Sequence, residues 1–280
     1  MSSTMQSVKQ EARRATRPVR PWVEWLARFG YAAKGVVYIV MGILALQATQ
    51  GASSPKVDQQ AALVKIITQP SGRLMLAVIA VGLAGYVLWR LIQTVLDPEN
   101  VGSDLKGLVK RSAYLISGAG YTVLILTSTQ LLRGNGGSSS SQATKDFTAQ
   151  VMSKPFGVWI VLLVGLFVIG GALMQLYQAF KGNFKERFKT GQMKGEEREW
   201  VPRLGRAGTA ARAVVYLIVG SFIVQAARTH NPSKAGGLGD AMQALAQQPY
   251  GAWLLGLVAL GLIAYGLYAF FTARYRVIYL

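Results

Sequence analysis

Lys34 and Arg212 each stand inside a long apolar stretch, and each is followed four residues later by a tyrosine, Tyr38 and Tyr216. A third stretch repeats the spacing with Ser117 and Tyr121. Residues four apart share a face of a helix, so each stretch sets a polar group beside a phenol. Cations and phenols on one face can line a cavity and attract an anion through charge-assisted hydrogen bonds. The competing reading is local: the basic side chains extend toward headgroups and the tyrosines sit in the interfacial belt. A second polar set, Gln47, Gln130 and Gln225, follows the tyrosines by nine residues in all three stretches. Its amides can hydrogen-bond between helices or reach interfacial water. Nine residues at about 100° each place the two sets about half a turn apart, so at most one of them can face a common axis.

Other chemistry is poorly supplied. The chain has no cysteine, which excludes disulfides, thiolate metal sites and cysteine nucleophiles. His230 is the one histidine and lies beside Asn231 and Pro232, where it reads as a solvated loop residue. No acidic residue falls within an apolar stretch, which weakens a proton-driven pump. Paired carboxylates, phosphate-cradling glycine loops and metal-ligand clusters are missing from the sequence. The expectation is a non-enzymatic protein without a cofactor or metal.

These residues need elements to position them, and composition says which kind. The 280 residues are 51% hydrophobic and 15% charged, with a mean hydropathy of +0.31, whereas soluble domains carry about a quarter charged residues. Six apolar stretches run from Tyr31 to Thr49, Leu74 to Leu96, Ala113 to Leu132, Phe156 to Phe180, Thr209 to Ala227 and Trp253 to Phe271. Each suits a bilayer that takes about 20 residues per helix. The first is preceded by too long a basic lead for a usual signal peptide. The net charge is +18, and twenty-two of the 30 basic residues fall at the end of the spans that carries both termini. The positive-inside rule places that end, and both termini, in the cytoplasm. Anionic lipid headgroups of the cytoplasmic face are the partner this charge implies; no nucleic-acid reading motif accompanies it.

The spans form three copies of a hairpin. Arg28, Tyr38 and Gln47 recur as Arg111, Tyr121 and Gln130 and as Arg206, Tyr216 and Gln225. Each second helix opens on its own signature, Pro70-Ser71-Gly72, Pro155-Phe156-Gly157 and Pro249-Tyr250-Gly251, which reads as a helix start. A short amphipathic piece precedes each, with Asp146 and Asp240 as caps in the second and third copies and Ala61 at that place in the first. Glycines such as Gly42, Gly82, Gly170 and Gly220 suit close helix packing in lipid. The runs from Ala27 to Tyr38 and from Arg206 to Tyr216, with Gly82-Leu83-Ala84-Gly85-Tyr86 and Gly261-Leu262-Ile263-Ala264-Tyr265, resemble the family known as DUF1206, a domain of unknown function built from tandem two-helix membrane units. The middle copy departs from the pattern, with Ala113 for the first glycine, Ser117 for the basic residue, and Phe167 and Gly171 in its second helix. The resemblance implies a fold and carries over no catalytic residue.

The expected architecture is all-α and integral to the membrane, six transmembrane helices in three tandem repeats with a pseudo-threefold arrangement about the membrane normal. A basic tail spans 1–23, and the repeats span 24–97, 106–185 and 203–276. Gly134 to Ser141 reads as a flexible outer loop, and the cytoplasmic stretch from Lys181 to Arg203 as a solvated linker or docking surface. The leading functional expectation is a binding or assembly element of the cytoplasmic (inner) membrane, with a protein partner or homo-oligomerisation open to it. The alternative is a passive channel or carrier for a small solute, such as an anion drawn by Lys34 and Arg212, along the pseudo-threefold axis.

Overall fold

The computed structural model describes residues 21–50, 56–98, 101–135, 140–182, 193 and 195–276. The basic tail through residue 20, the centre of the Gly134 to Ser141 loop and much of the 181–203 linker lie outside the described residues. The described helices are α1 (Pro21–Ala48), α2 (Gln59–Ile67), α3 (Gly72–Val95), α4 (Leu105–Leu132), α5 (Ser140–Met152), α6 (Gly157–Lys181), α7 (Glu197–Arg228), α8 (Leu238–Ala246) and α9 (Gly251–Tyr275). No strand occurs among the described residues. Six helices, α1, α3, α4, α6, α7 and α9, are long and apolar enough to cross a membrane, and this is a multi-pass membrane protein of three helical hairpins.

The second helix of each hairpin begins within two residues of the sequence expectation, and the reason is steric. Ser71, Phe156 and Tyr250 adopt left-handed backbone at φ 59°, 60° and 60°, which turns the chain sharply out of the short helix before it. A Cβ on the next residue would lie 2.3, 1.9 or 2.0 Å from a carbonyl oxygen of that short helix, so Gly72, Gly157 and Gly251 are required. The first helix of each hairpin starts eight to twelve residues earlier than its apolar stretch. Arg28, Arg111 and the run around Arg203 end the hydrophobic pattern without ending the hydrogen-bond ladder. Capping also differs from expectation. The first copy, which has Ala61 at the aspartate's place, is capped all the same, by Asp58 accepting from the Ala61 amide at 2.7 Å, and Asp146 lies inside α5, where it accepts from Gln142. Asp240 does serve the start of α8, accepting from the Gly237 amide at 2.9 Å. Burial pushes the Asp240 carboxyl up, but hydrogen bonds from Lys56 and Gly237 outweigh it and hold the group below its ordinary value.

Backbone contact at glycine sets the hairpins. A Cβ on Gly30 would sit 2.6 Å from the Tyr86 amide of α3, and one on Gly208 would sit 2.5 Å from Tyr265 of α9. Gly82 packs against Ala33 and Gly261 against Ala211 in the same way. The middle repeat has Ala113 and Phe167 at these places. Its helices α4 and α6 accordingly form no substantial interface, while α1 with α3 and α7 with α9 do. Between repeats the seams recur: Gly42 lies against Ile263 where α9 meets α1, and Gly220 against Ile169 where α6 meets α7. Arg28 bonds the carbonyls of Ala273 and Arg274 that end α9, as Arg111 bonds those of Thr94 and Val95 that end α3. The large helices thus follow one another in space as α4, α3, α1, α9, α7, α6. The arc is open between its two ends, α4 and α6, so one of the three hairpins expected to be alike is splayed.

The short helices join the repeats at the end of the bundle away from the termini. Lys56 pairs with Asp240, Gln60 donates to Thr127 at 3.4 Å, and Gln59 donates to the Tyr38 hydroxyl at 3.1 Å.

Candidate functional site

The periodic face found in the sequence turns inward. Lys34 is 3% exposed and lies about 20 Å along α1 from Pro21, at about 1.5 Å per residue. It does not reach for the headgroups from the end of a span, because the helix extends well before the apolar stretch. Its ammonium donates to the hydroxyls of Tyr86 at 3.2 Å and Tyr265 at 2.8 Å. Four rings surround it, with centroids 4.9 Å (Tyr86), 5.0 Å (Tyr265), 5.5 Å (Tyr121) and 5.8 Å (Tyr38) away. Each such contact stabilises a desolvated cation by about 1–2 kcal/mol. The rings pack edge to face, Tyr38 on Tyr265 and Tyr86 on Tyr121.

Two guanidinium groups converge on the same phenols. Arg90 donates to the Tyr86 hydroxyl at 2.8 Å and to Gln93 at 2.9 Å. Arg212 donates to the Tyr265 hydroxyl, and through two nitrogens to the Gln175 carbonyl oxygen at 3.1 and 2.7 Å. It also lies over the Tyr216 ring at 5.3 Å. Two phenol oxygens therefore each bridge two cations. Beside them opens a cavity of about 160 Å³ toward the end that carries the termini, lined by Lys34, Arg90, Arg212 and Arg276 among others, with no carboxylate in its lining. One water takes about 10–15 Å³ of such space, so an oxyanion with some hydration fits. No group of three or more His, Cys, Asp or Glu residues suited to a metal occurs among the described residues.

Lys34, Tyr38, Tyr121, Arg212 and Tyr216 are thus brought together. Ser117 reaches this cluster at its edge, 3.5 Å from the Tyr86 hydroxyl. The glutamines face the other way: Gln47, Gln130 and Gln225 are exposed near the outer ends of α1, α4 and α7, and no side-chain hydrogen bond from them to another helix is found among the described residues. His230 is exposed, in left-handed backbone just past α7. Reading along single helices missed Arg90, Gln175, Arg276 and the site roles of Tyr86 and Tyr265. The signal for the two tyrosines was present, since each closes the glycine-rich run of its second helix. The middle repeat has Gly171 there.

The family described as Domain of Unknown Function (DUF1206) matches three segments, residues 29–97, 112–182 and 207–276. The chain belongs to this family. The three DUF1206 segments coincide with the three hairpins, including the splayed one. A protein of Bacillus subtilis (strain 168), named uncharacterized protein YxxB, is 34% identical over 272 residues, 97% of this chain and 95% of its own length. No solved structure matches the chain.

Proposed function

We propose that this DUF1206 protein is a non-enzymatic binding element that holds an oxyanion of the phosphate class in the cationic cavity. One observation carries the reading: Lys34, Arg90 and Arg212 line the cavity and no carboxylate does. An unpaired charge taken out of water costs several kcal/mol, and phenols and amides disperse that charge without cancelling it. Forked guanidinium donors match the oxygens of phosphate or sulfate, and the Lys34 ammonium adds a point charge below them. With the basic end of the bundle in the cytoplasm, the cavity opens to that side. Passive conduction along the axis is the weaker reading. Tyr38, Tyr86 and Tyr121 are buried between the cavity and the short-helix end, and Gln59 bonds Tyr38 from that end.

The test is thermal unfolding of the purified protein in a neutral detergent, titrated with phosphate, sulfate and chloride. A ligand at a hundred times its Kd adds about 2.7 kcal/mol to stability. Phosphate or sulfate should raise the Tm by several degrees and chloride by little. No rise with any of the three overturns the reading, and sustained phosphate flux into proteoliposomes would replace a binding element with a carrier.

A further inference from the structure

Resting on that anion reading, we propose that the occupant is an anionic phospholipid, its phosphate in the cationic cavity and an acyl chain in the open side between α4 and α6. The cavity wall is incomplete on that side. Gly171 stands where the other two repeats place Tyr86 and Tyr265, and a Cβ added there meets nothing within 4 Å. At spacings of four and three, Gly171 shares a face of α6 with Gln175 and Gln178, both of which line the cavity. Continuing that face away from the termini come Val164, 49% exposed, and Ile160, 48% exposed. One stripe of a single helix therefore runs from polar to apolar, and the described helices leave its apolar half about half exposed.

This is the complement of an amphiphile from the leaflet at the terminal end, with the head among Lys34, Arg212 and Gln178 and the tail along Gly171, Val164 and Ile160. A free anion needs the cations alone. It gives no account of why the glycine that opens the side lies on the face that carries the cavity's glutamines. A partner helix with an apolar stripe would cover the gap but supply no charge to the cavity.

The experiment uses the full chain, freed of lipid by exchange into neutral detergent. Phosphatidylglycerol and phosphatidylcholine are added in mixed micelles and their retention read by native mass spectrometry, and inorganic phosphate binding is read by calorimetry. Phosphatidylglycerol should be retained at least tenfold better than phosphatidylcholine. Gly171→Leu, which fills open space and so preserves the fold, should lower the ratio of phosphatidylglycerol affinity to phosphate affinity at least tenfold, and Val164→Trp should act in the same direction. If phosphate binds but the two lipids are retained equally, or the ratio ignores both substitutions, the lipid assignment falls and the anion reading stands. If neither phosphate nor phosphatidylglycerol binds, both fall. A dimer in light scattering that Gly171→Leu converts to a monomer would make the open side a contact between copies and overturn the proposal.

Discussion

Replacing Arg212 with glutamine separates a cation that holds the bundle together from one that holds a ligand. Lys34 and Arg212 both donate to the Tyr265 hydroxyl, which brings their charges within about 5 Å of each other. At an effective dielectric of about 20 their repulsion is about 3 kcal/mol. Against this, Arg212 makes two bonds to Gln175 and one to Tyr265, each worth about 0.6 kcal/mol between membrane helices, and its contact with the Tyr216 ring adds about 1–2 kcal/mol. The two sides nearly cancel, so the ligand-free Arg212→Gln protein should lie within about 1 kcal/mol of the wild type in stability. Its affinity for phosphate should fall, because a charge-assisted bond contributes about 1.5–3 kcal/mol, or roughly ten- to a hundredfold in Kd. Thermal unfolding in neutral detergent, with and without saturating phosphate, reads both quantities in one series. A loss of several kcal/mol in the absence of any anion, with phosphate affinity unchanged, would refute the reasoning and make Arg212 structural.

Gly208→Val should destabilise by about 2 kcal/mol or more in denaturant unfolding, because its Cβ meets the Tyr265 backbone at 2.5 Å. Gly170→Ala, in open space, should instead stabilise by about 0.5–1 kcal/mol through helix propensity. Asp240→Asn should cost about 1 kcal/mol at neutral pH, as caps do. Because the Asp240 carboxyl is held below its ordinary value of 3.8, its contribution is full above that pH and lost as pH falls through the lowered value. The wild type should show an acid limb there that Asp240→Asn flattens in pH-dependent unfolding. The absence of cysteine makes crosslinking direct: Thr49→Cys with Gly256→Cys should form a disulfide where α9 meets the end of α1, because a Cβ on Gly256 would lie 3.9 Å from the Thr49 side chain without a clash, whereas Ser117→Cys with Gly171→Cys should not, as judged by gel mobility after mild oxidation.

Much of the architecture was legible because each signal was local and occurred three times. The proline and glycine signatures located the second helices closely, since the turn they mark is a steric requirement of three residues. The first helices were misjudged at their starts because hydropathy reports where lipid is, whereas α1, α4 and α7 continue beyond it. For the site, the opposition between tyrosines and glutamines followed from helix geometry, and the tyrosines proved to be the inward set. Arg90 was counted only toward topology, because nothing within its own helix indicates that it meets Tyr86 beside Lys34. The open side between α4 and α6 was written in Ala113, Phe167 and Gly171, yet their meaning depends on what the equivalent residues of the other repeats touch.

The bonds from Arg28 to the end of α9 place the start of the first membrane helix beside the end of the last. A protein arranged this way has no privileged first unit. Fusing its ends through a short linker and opening it between α3 and α4 would produce a circular permutant with the same neighbours throughout. Order of synthesis and order of assembly could then be varied independently, and whether the splayed hairpin depends on being made second becomes a question for permuted genes.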